Sequence, residues 1–534
     1  MGLAVAPTHA VARGRAEYNA GMADTPDPSD DVQTLHKLGY AQELARVLGG
    51  FSNFAISLSI ICILAGGVTS FQVGYCSVGG ASVGLGWPLV CLFSLCVAAT
   101  MGQIASAFPT AGGLYHWAAI LGGRGWGWVT AWFNLAGLVT VLAAINVGTV
   151  RFAFGAFAPD FTLDPVTQFV AVALVTASHA VVNHLGIRVT RWLTDFSGYW
   201  ILLVAAILTA ALVVSAPGWD FSRLWTFTNF SGLPAGEGAT PVFPPTESLP
   251  LLFALGLLLP AYTITGFDAS AHVAEETTGA ARMVPRGIVR SVLVSGVCGW
   301  VMLCAVVLAM RDPAAVAEKG GNAFTFVLAD VFPQWLYFVL CGAIVLAQYL
   351  CGLATVTSAS RMAFAFARDR GLPGWKWVRH VSPRFRTPPV AVWGVSAAAV
   401  LFTIYTPVYD TIAAVCVIFL YISYVLPTLL GLIAHGRTWT AFGPWHLGRW
   451  FRPLAVVSTL GCVALIVIGM QPPNEKAAIV VGATGVALAG LWFGVARRRF
   501  PGPPHGVLST ADREAIRAAE RAVHEPAGDG DGRQ

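Results

Sequence analysis

The sequence predicts an all-α integral membrane protein with twelve transmembrane helices, and three observations carry that prediction. The 534 residues are 56% hydrophobic and only 11% charged, whereas about a quarter of the residues in soluble domains are charged. Twelve charge-poor apolar runs reach the length of about 20 residues that a helix needs to cross a bilayer. The loops between them are alternately rich and poor in basic residues, as loops on the two sides of a membrane are.

The twelve runs, numbered here as spans 1 to 12, are separated by polar, basic or Gly/Pro-containing stretches. They begin near Phe51, Trp87, Gly125, Pro165, Phe196, Ser248, Ser291, Phe332, Pro388, Thr411, Pro453 and Ala477. Because they use about 240 positions, no stretch is left for a separate soluble domain. The predicted organisation is a tail (1–50), spans 1 to 5 (51–217), a loop (218–247), spans 6 to 10 (248–435), spans 11 and 12 (453–496) and a second tail (497–534).

The Lys and Arg distribution predicts that both ends of the chain are cytosolic. With that orientation the inner loops hold nineteen Lys and Arg, and the outer loops hold five. Those five are Arg151, Arg223, Arg311, Lys319 and Lys476. The first fifty residues contain no apolar core of signal-peptide type. We therefore expect an uncleaved, multi-pass protein of the plasma (inner) membrane.

Composition and motifs exclude several classes of protein. The net charge of +5 is too small and too dispersed for a nucleic-acid-binding face. The ten cysteines form no CxxC or Cys/His pattern with metal-ligand spacing, so we expect no metal site and no cofactor. HExxH, a P-loop and GxSxG with plausible partners are all missing from the sequence, which argues against an enzyme and against an ATP-driven pump. The expected partners are the lipid bilayer and a small-molecule substrate.

Span 6 carries the strongest sign of a broken helix. The run from Ser248 to Glu276 has 29 residues, and a continuous helix of that length would measure about 43 Å, which a simple crossing does not need. Pro260 can weaken the helix, and Gly266 and the carboxylate of Asp268 follow it near membrane depth. The sequence therefore predicts a break between Thr263 and Asp268.

Span 1 contains a weaker version of the same signal in Ala65-Gly66-Gly67-Val68-Thr69, because two adjacent glycines make it easier to leave helical geometry. Breaks at matching positions of two halves are typical of a transporter whose site lies at an inverted-repeat interface. Unwound backbone offers N–H groups to a carboxylate and carbonyls to an ammonium, so it can hold a zwitterion. The alternative is that the glycines only allow close helix packing.

Three carboxylates of span 6 are candidates for coupling and gating. Asp268 is the leading candidate for proton coupling or cation contact, since a carboxylate at membrane depth normally pairs or changes protonation. The alternative is that it only bonds to backbone exposed at the break. Glu275 and Glu276 lie about two helical turns further on, toward the basic loop of Arg282 and Arg286. We expect them to form ion pairs that close a cytosolic gate rather than to bind substrate.

Several stretches resemble the amino acid/choline transporter family of the amino acid-polyamine-organocation superfamily. They are Gly266-Phe-Asp-Ala-Ser-Ala-His-Val-Ala-Glu-Glu-Thr277, Leu38 to Arg46, Gly86-Trp-Pro88, Ala107 to Tyr115, Trp132-Phe-Asn134 and Ser360 to Asp369. The resemblance covers most of the chain. It implies two inverted five-helix repeats with discontinuous spans 1 and 6, the fold of LeuT-like transporters, followed by two extra helices. It also implies secondary active uptake of amino acids, 4-aminobutyrate, choline or polyamines.

Carried over by position, the resemblance implies a substrate site on spans 1, 3 and 6. Its members are Ala65, Gly66, Gly67, Val68, Thr69, Asn134, Tyr262, Thr265, Gly266 and Phe267. The glycine-containing segments form a backbone cradle. Tyr262 corresponds to an aromatic gate, which suits an ammonium by cation–π attraction, although membrane aromatics also serve packing. Asn134 either reaches the pocket or bridges helices.

The same resemblance indicates which residues could bind or replace the coupling ion. Ser358 and Ser360 correspond to ion-binding hydroxyls of sodium-coupled relatives, with bonding to their own helix as the alternative. Some members of the superfamily carry a lysine in span 5 that can take the place of a sodium ion. Span 5 of this chain has no basic residue between Phe196 and Pro217, so coupling through such a lysine is in doubt. Asp195 is a second candidate for titration, or else forms a loop salt bridge with Arg188 or Arg191. Among the histidines, His116 suits a structural role, and the sequence indicates no role for His272.

We therefore expect a secondary active transporter that imports an amino acid or related amine by alternating access, coupled to a proton rather than to sodium. The alternatives are a sodium-coupled or exchange-type carrier of the same fold, a channel, and a non-transporting sensor.

Overall fold

A computed structural model describes residues 28–236, 239–405, 409–504 and 510–524, and throughout these ranges the chain forms helices and loops without a β-strand. Nine of the described helices are long and apolar enough to cross a membrane, and three shorter apolar helices accompany them. Together they correspond to the twelve predicted spans. The prediction of an all-α membrane protein is confirmed.

The unbroken spans have the following bounds. Spans 2 to 5 are Ser82–Ala107, Arg124–Phe157, Pro165–His184 and Ile187–Ser215. Spans 7 to 9 are Ala280–Ala309, Gln334–Arg368 and Pro389–Tyr405. Spans 10 to 12 are Tyr409–Ala434, Phe451–Gly469 and Glu475–Leu491. Spans 5 and 7 begin well before the predicted Phe196 and Ser291, because their basic first turns continue the helix although they interrupt the apolar run.

Span 1 is broken, and the break lies earlier than predicted. The helix Gly50–Ile60 ends, residues 61–65 are irregular, and the helix resumes at Gly66–Thr69 and Phe71–Val78. The sequence predicts the break at Ala65–Thr69. Carbonyls at the observed break bond to span 8: Gln348 donates to the Leu64 oxygen at 3.0 Å, and the Cys351 thiol donates to the Ile60 oxygen at 3.4 Å. These bonds satisfy carbonyl groups that the interrupted helix leaves without a helical partner.

Span 6 is broken where the sequence predicts it. The helical turns Leu249–Gly256 and Leu258–Thr263 end before residues 264–268, and the chain continues as Ala269–His272 and a 3₁₀ turn at Ala274–Glu276. Gly266 lies in the break with φ +89°, a left-handed conformation that only glycine adopts readily. A Cβ atom at this position would lie 2.2 Å from Cγ2 of Ile60. Gly266 is therefore required by the backbone and by the contact with span 1.

Span 3 lies at the centre of the bundle and spans 11 and 12 lie at its edge. In span 3, 83% of the most apolar stretch is buried, compared with 28% in span 11 and 11% in span 12. Span 3 packs against spans 8 and 10, and span 10 packs against span 11. The exposed apolar side chains of spans 11 and 12 are suited to lipid contact.

The two described terminal segments lie on one face of the bundle, which we call the terminal face. The Glu520 carboxylate, on the C-terminal helix Thr510–His524, accepts a bond from the Gln42 amide at 3.0 Å. Asp31 accepts from the Gly279 amide at 2.6 Å, where span 7 begins. The opposite face carries the loop between spans 5 and 6, and we call it the loop face.

Candidate functional site

The Asp268 side chain is completely buried in the break of span 6 and contacts three other side chains. Its Oδ2 atom accepts from Nδ2 of Asn134 at 3.0 Å and lies 3.2 Å from Nε2 of His272. Its Oδ1 atom accepts from the Tyr424 hydroxyl at 2.8 Å. The site therefore joins span 3, the break and second part of span 6, and span 10.

The two ring nitrogens of His272 face different partners. Its Nδ1 atom lies 3.2 Å from the carbonyl oxygen of Ala111, which only accepts hydrogen bonds. The Nε2 atom faces a carboxylate oxygen, and that contact is a hydrogen bond only when one proton lies between the two atoms. That proton can be carried by His272 or by Asp268.

Tyr424 connects Asp268 to the backbone of the break. Its hydroxyl accepts from the Gly266 amide at 3.0 Å and donates to Asp268. The Tyr424 ring also packs against Phe267, with centroids 4.9 Å apart. A hydrogen-bond chain therefore runs from a predicted substrate-binding amide, through Tyr424, to the carboxylate.

The two halves of span 1 pack against the two halves of span 6. On the terminal side, the Ser57 hydroxyl donates to the Phe267 carbonyl at 2.9 Å and accepts from the Ser270 amide at 2.9 Å. On the loop side, a Cβ atom on Gly66 would lie 2.7 Å from the Thr263 Cα atom, so only glycine permits this approach. The predicted cradle segments of the two spans are thus direct neighbours.

The other predicted substrate residues lie around this junction. Val68 and Thr69 line a cavity of about 390 Å³ on the loop face, and Tyr262 lines a smaller one of about 50 Å³ together with Ser70 of span 1. The Thr265 hydroxyl donates to the Tyr262 carbonyl at 2.7 Å. Ala65 ends the break of span 1.

Asn134 bridges helices, which is one of the two roles that the sequence allows for it. Its Nδ2 atom donates to Asp268 and also to the Ser423 hydroxyl of span 10, at 3.0 and 3.3 Å. The contact with Asp268 nevertheless makes Asn134 part of the site.

The two serines considered for an ion site lie away from the break of span 1. Ser358 is two helical turns, about 10 Å, beyond Cys351, which contacts the break. The Ser360 hydroxyl donates to the Thr357 carbonyl at 2.9 Å and accepts from Arg361 at 3.1 Å. The span 8 side chains that reach the break are Gln348 and Cys351.

Glu275 and Glu276 form buried ion pairs, but with span 8 and not with the loop of Arg282 and Arg286. The Glu275 carboxylate takes two bonds from Arg368, at 2.7 and 2.9 Å. The Glu276 carboxylate takes two bonds from Arg361, both 3.1 Å long, and both partners are fully buried. Bidentate pairs of this kind combine strong attraction with fixed geometry, and they tie the terminal end of span 6 to span 8.

A second polar cluster closes the terminal face beside these pairs. The Asp369 carboxylate accepts from the Tyr40 and Tyr115 hydroxyls at 2.8 and 2.7 Å, and it lies 3.1 Å from Nε2 of His116. Burial alone raises the pKa of Asp369, but the hydrogen bond from His116 and the nearby Arg368 charge hold that pKa below its usual range. His116 therefore has the structural contacts expected of it.

Asp195 lies at the terminal end of span 5 rather than beside Asp268. Its Oδ2 atom accepts from the Ser52 hydroxyl at 3.0 Å and lies 3.6 Å from Nε of Arg191. This arrangement corresponds to the alternative of a salt bridge.

Sequence patterns did not point to Tyr424, Gln348, Arg361 or the role of His272. A weak signal exists for two of them, since Gln348 is an amide and Arg361 a charge within the apolar face of one long helix. Tyr424 carries no comparable signal, because tyrosines are common in membrane helices.

Comparisons with known proteins identify the family. A family model described as amino acid permease matches residues 48–493. Amino-acid permease BAT1 of Arabidopsis thaliana is 32% identical over 89% of this chain and 96% of its own length. The BAT1 homolog of Oryza sativa is 31% identical over 88% of this chain and 94% of its own length. The GABA-specific permease of Saccharomyces cerevisiae is 26% identical over 94% of this chain and 91% of its own length.

These relatives are transporters and not enzymes, which agrees with the broken spans and with the resemblance in the sequence. The match covers both broken helices and all the residues that surround Asp268. The chain therefore belongs to the amino acid permease family of the amino acid-polyamine-organocation superfamily and is an amino acid transporter.

Proposed function

We propose that this protein imports an amino acid by proton-coupled alternating access, and that Asp268 and His272 together carry the coupling proton. The observation that carries the proposal is the hydrogen-bond chain from the Gly266 amide through Tyr424 to Asp268, whose Oδ2 atom lies 3.2 Å from Nε2 of His272. One end of this chain is a predicted substrate contact and the other end is the proton site.

The hydrogen-bond chain provides a physical link between the substrate and the coupling proton. When Asp268 is ionised, it draws the Tyr424 hydroxyl toward itself, and the Tyr424 oxygen holds the Gly266 amide. When Asp268 is neutral, that attraction weakens, because hydrogen bonds to a charged acceptor are the stronger ones. The Gly266 amide is then more available to a substrate carboxylate, so protonation favours substrate binding.

The asymmetry of the two faces supports alternating access. The terminal face is closed by the Glu275–Arg368 and Glu276–Arg361 pairs, whereas Val68 and Thr69 border a cavity on the loop face. We propose that spans 1 and 6 rock against the remaining spans of the two repeats, 51–217 and 248–435. The ion pairs would break when the terminal face opens.

The distribution of basic residues supports a cytosolic terminal face in the plasma membrane. Substrate released on that face would enter the cell. The Asp268 carboxylate is occupied by Asn134, His272 and Tyr424, which favours a zwitterion held by backbone over a cation held by this carboxylate. The names of the relatives support an amino acid, and 4-aminobutyrate belongs among the compounds to test.

Uptake into liposomes tests the proposal. The purified full chain would be reconstituted and offered labelled L-alanine, L-arginine, 4-aminobutyrate, choline and putrescine, each with an inward proton gradient, with a sodium gradient or with neither. We expect saturable, concentrative uptake of a carboxylate-bearing compound that a protonophore abolishes. Dependence on sodium, or exchange without accumulation under either gradient, would contradict proton coupling. High flux without saturation would indicate a channel.

A further inference from the structure

A groove between spans 3 and 12 opens on the outer surface of the bundle near the terminal face, and we call it the edge groove. Its volume is about 460 Å³, and the described residues that line it come from 122–133 and 485–493. At its floor the two helices touch, because a Cβ atom on Gly125 would lie 3.0 Å from the Trp492 ring. Its rim is open, since Trp126 and Phe493 are 50% and 70% exposed. The edge groove therefore faces the lipid that surrounds the bundle.

The edge groove extends from the terminal face to the middle of the bilayer. Gly485, at its inner end, lies twelve residues before Arg497, which is about 18 Å along a helix. One leaflet contributes half of a hydrocarbon core of about 30 Å. The groove therefore has the depth of one leaflet and runs parallel to its acyl chains.

The walls of the edge groove suit a hydrocarbon chain. Val129 and Phe133 line it from span 3, and Leu488 and Phe493 line it from span 12 and its continuation. Arg124, at the terminal end, is the charged residue among the described lining residues. The groove is thus apolar along its length and basic at one end, which complements a phospholipid with a negative headgroup.

The basic end of the edge groove is built by span 12 together with Arg124. Span 12 continues as the π-helical turn Trp492–Ala496 and ends in Arg497–Arg499, which are exposed. Arg124 donates to the carbonyl oxygens of Arg497 and Phe500, both at 3.2 Å. These two bonds hold the basic turn beside the groove.

The two segments that form the groove carry no negative charge, because neither 102–158 nor 476–508 contains an aspartate or a glutamate. Guanidinium groups bind phosphate through paired hydrogen bonds, and basic pockets beside membrane helices bind anionic headgroups. A second copy of the chain fits the groove less well. A dimer axis normal to the membrane would bring the basic turns of both copies to the same membrane surface, where they would repel each other.

We propose that the edge groove binds one anionic phospholipid of the leaflet at the terminal face, with an acyl chain in the groove and the phosphate on Arg497–Arg499. The basic turn alone would also suit a free phosphate, but the apolar groove has the depth of an acyl chain, so the ligand is the lipid. This inference goes beyond the proposed function and does not depend on the coupling ion.

Native mass spectrometry of the full chain in detergent tests the headgroup preference with phosphatidylglycerol, which is anionic, and phosphatidylcholine, which is zwitterionic. We expect the wild type to bind one phosphatidylglycerol roughly tenfold more tightly, because each basic residue near a headgroup contributes a severalfold gain. Replacing all of Arg497–Arg499 with Gln should remove the preference, and replacing them with Lys should keep most of it. The charge-matched control, with Gln at the exposed Arg384, Arg437 and Arg449, should bind as the wild type does.

A second pair of variants tests the groove itself. Gly485→Phe fills its inner end, whereas Gly482→Phe adds the same side chain to span 12 outside the groove, and a Cβ atom meets no other atom within 4 Å at either position. We expect Gly485→Phe to weaken phosphatidylglycerol binding severalfold and Gly482→Phe to match the wild type. Ala489→Phe, at another lining position, is a second blocking variant, and thermal unfolding without lipid checks that each variant is folded.

Unchanged phosphatidylglycerol binding by the Gln variant of Arg497–Arg499 would overturn the proposal. Equal binding by Gly485→Phe and Gly482→Phe would also overturn it, since the lipid would then be attracted to the basic surface alone. Full competition by soluble glycerol 3-phosphate would show that the ligand is a free phosphate. A wild-type dimer that Gly485→Phe dissociates would show that a second copy occupies the groove. Failure of proton-coupled uptake in liposomes would leave each of these results unaffected.

Discussion

The Nε2 atom of His272 lies 3.2 Å from Oδ2 of Asp268, one helical turn earlier in span 6. Both side chains are fully buried. The other ring nitrogen of His272 faces the Ala111 carbonyl. This buried pair, which also contacts the break through Tyr424, is the proposed site of proton coupling.

Replacing Asp268 with Asn should uncouple transport. The amide cannot ionise, so proton-gradient-driven accumulation should be abolished, while exchange of substrate across the membrane should persist in part. Counterflow and gradient-driven uptake measured on the same liposomes distinguish the two. Asp195→Asn is the control, since Asp195 lies beside Ser52 and Arg191 at the end of span 5. Unchanged accumulation by Asp268→Asn would remove Asp268 from the mechanism.

Replacing Tyr424 with Phe should weaken the link between proton and substrate. The change removes a donor to Asp268 and the acceptor of the Gly266 amide, and it keeps the ring against Phe267. We expect lower gradient-driven uptake and a weaker dependence of the KM on external pH. Tyr421→Phe is a matched control, because it makes the same change one helical turn earlier. Equal behaviour of the two variants in the uptake assay would count against a role of the hydrogen-bond chain in coupling.

The two adjacent glycines of span 1 should respond differently to alanine. At Gly66 the added Cβ would lie 2.7 Å from the Thr263 Cα atom, which cannot rotate away, whereas at Gly67 the nearest atoms, on Leu303 and Met302, are 3.8 Å away. We expect Gly66→Ala to lose about 1–3 kcal/mol of stability through overpacking and Gly67→Ala to keep the wild-type Tm.

Thermal unfolding and uptake of both glycine variants test this difference. Loss of uptake in a stable Gly67→Ala protein would support a role of that backbone in the cradle. A normal Tm for Gly66→Ala would show that spans 1 and 6 tolerate a wider separation.

Breaking the Glu276–Arg361 pair should destabilise the protein strongly. Arg361→Gln leaves a fully buried carboxylate without its charged partner, a change that typically costs about 3–5 kcal/mol. The double variant Glu276→Gln, Arg361→Gln removes both charges and should recover most of the lost Tm. Arg311→Gln, in an exposed pair, should leave the Tm unchanged. If the single and double variants unfold alike, the pair contributes packing rather than charge compensation.

The break in span 6 shows how much of the site a sequence can reveal. Its length, Pro260, Gly266 and Asp268 are local features, and they predict the break at the residues where the helix stops. The break in span 1 lies earlier than its glycines predict, and its carbonyls bond to Gln348 and Cys351, which are far along the chain. The substrate roles of Gly66 to Thr69 and of Thr265 to Phe267, and an ion site at Ser358 and Ser360, stay predictions.

The sequence by itself determined the class of protein, the number of spans and the break that contains Asp268, since hydropathy, Pro, Gly and an isolated carboxylate act within about one helix length. The tertiary structure alone decided which groups meet that carboxylate. Tyr424 is 156 residues from Asp268, and Arg361 is 85 residues from Glu276. Such partners depend on how helices pack and rotate against each other, and every span has a similar apolar pattern, so no local signal specifies which faces come together.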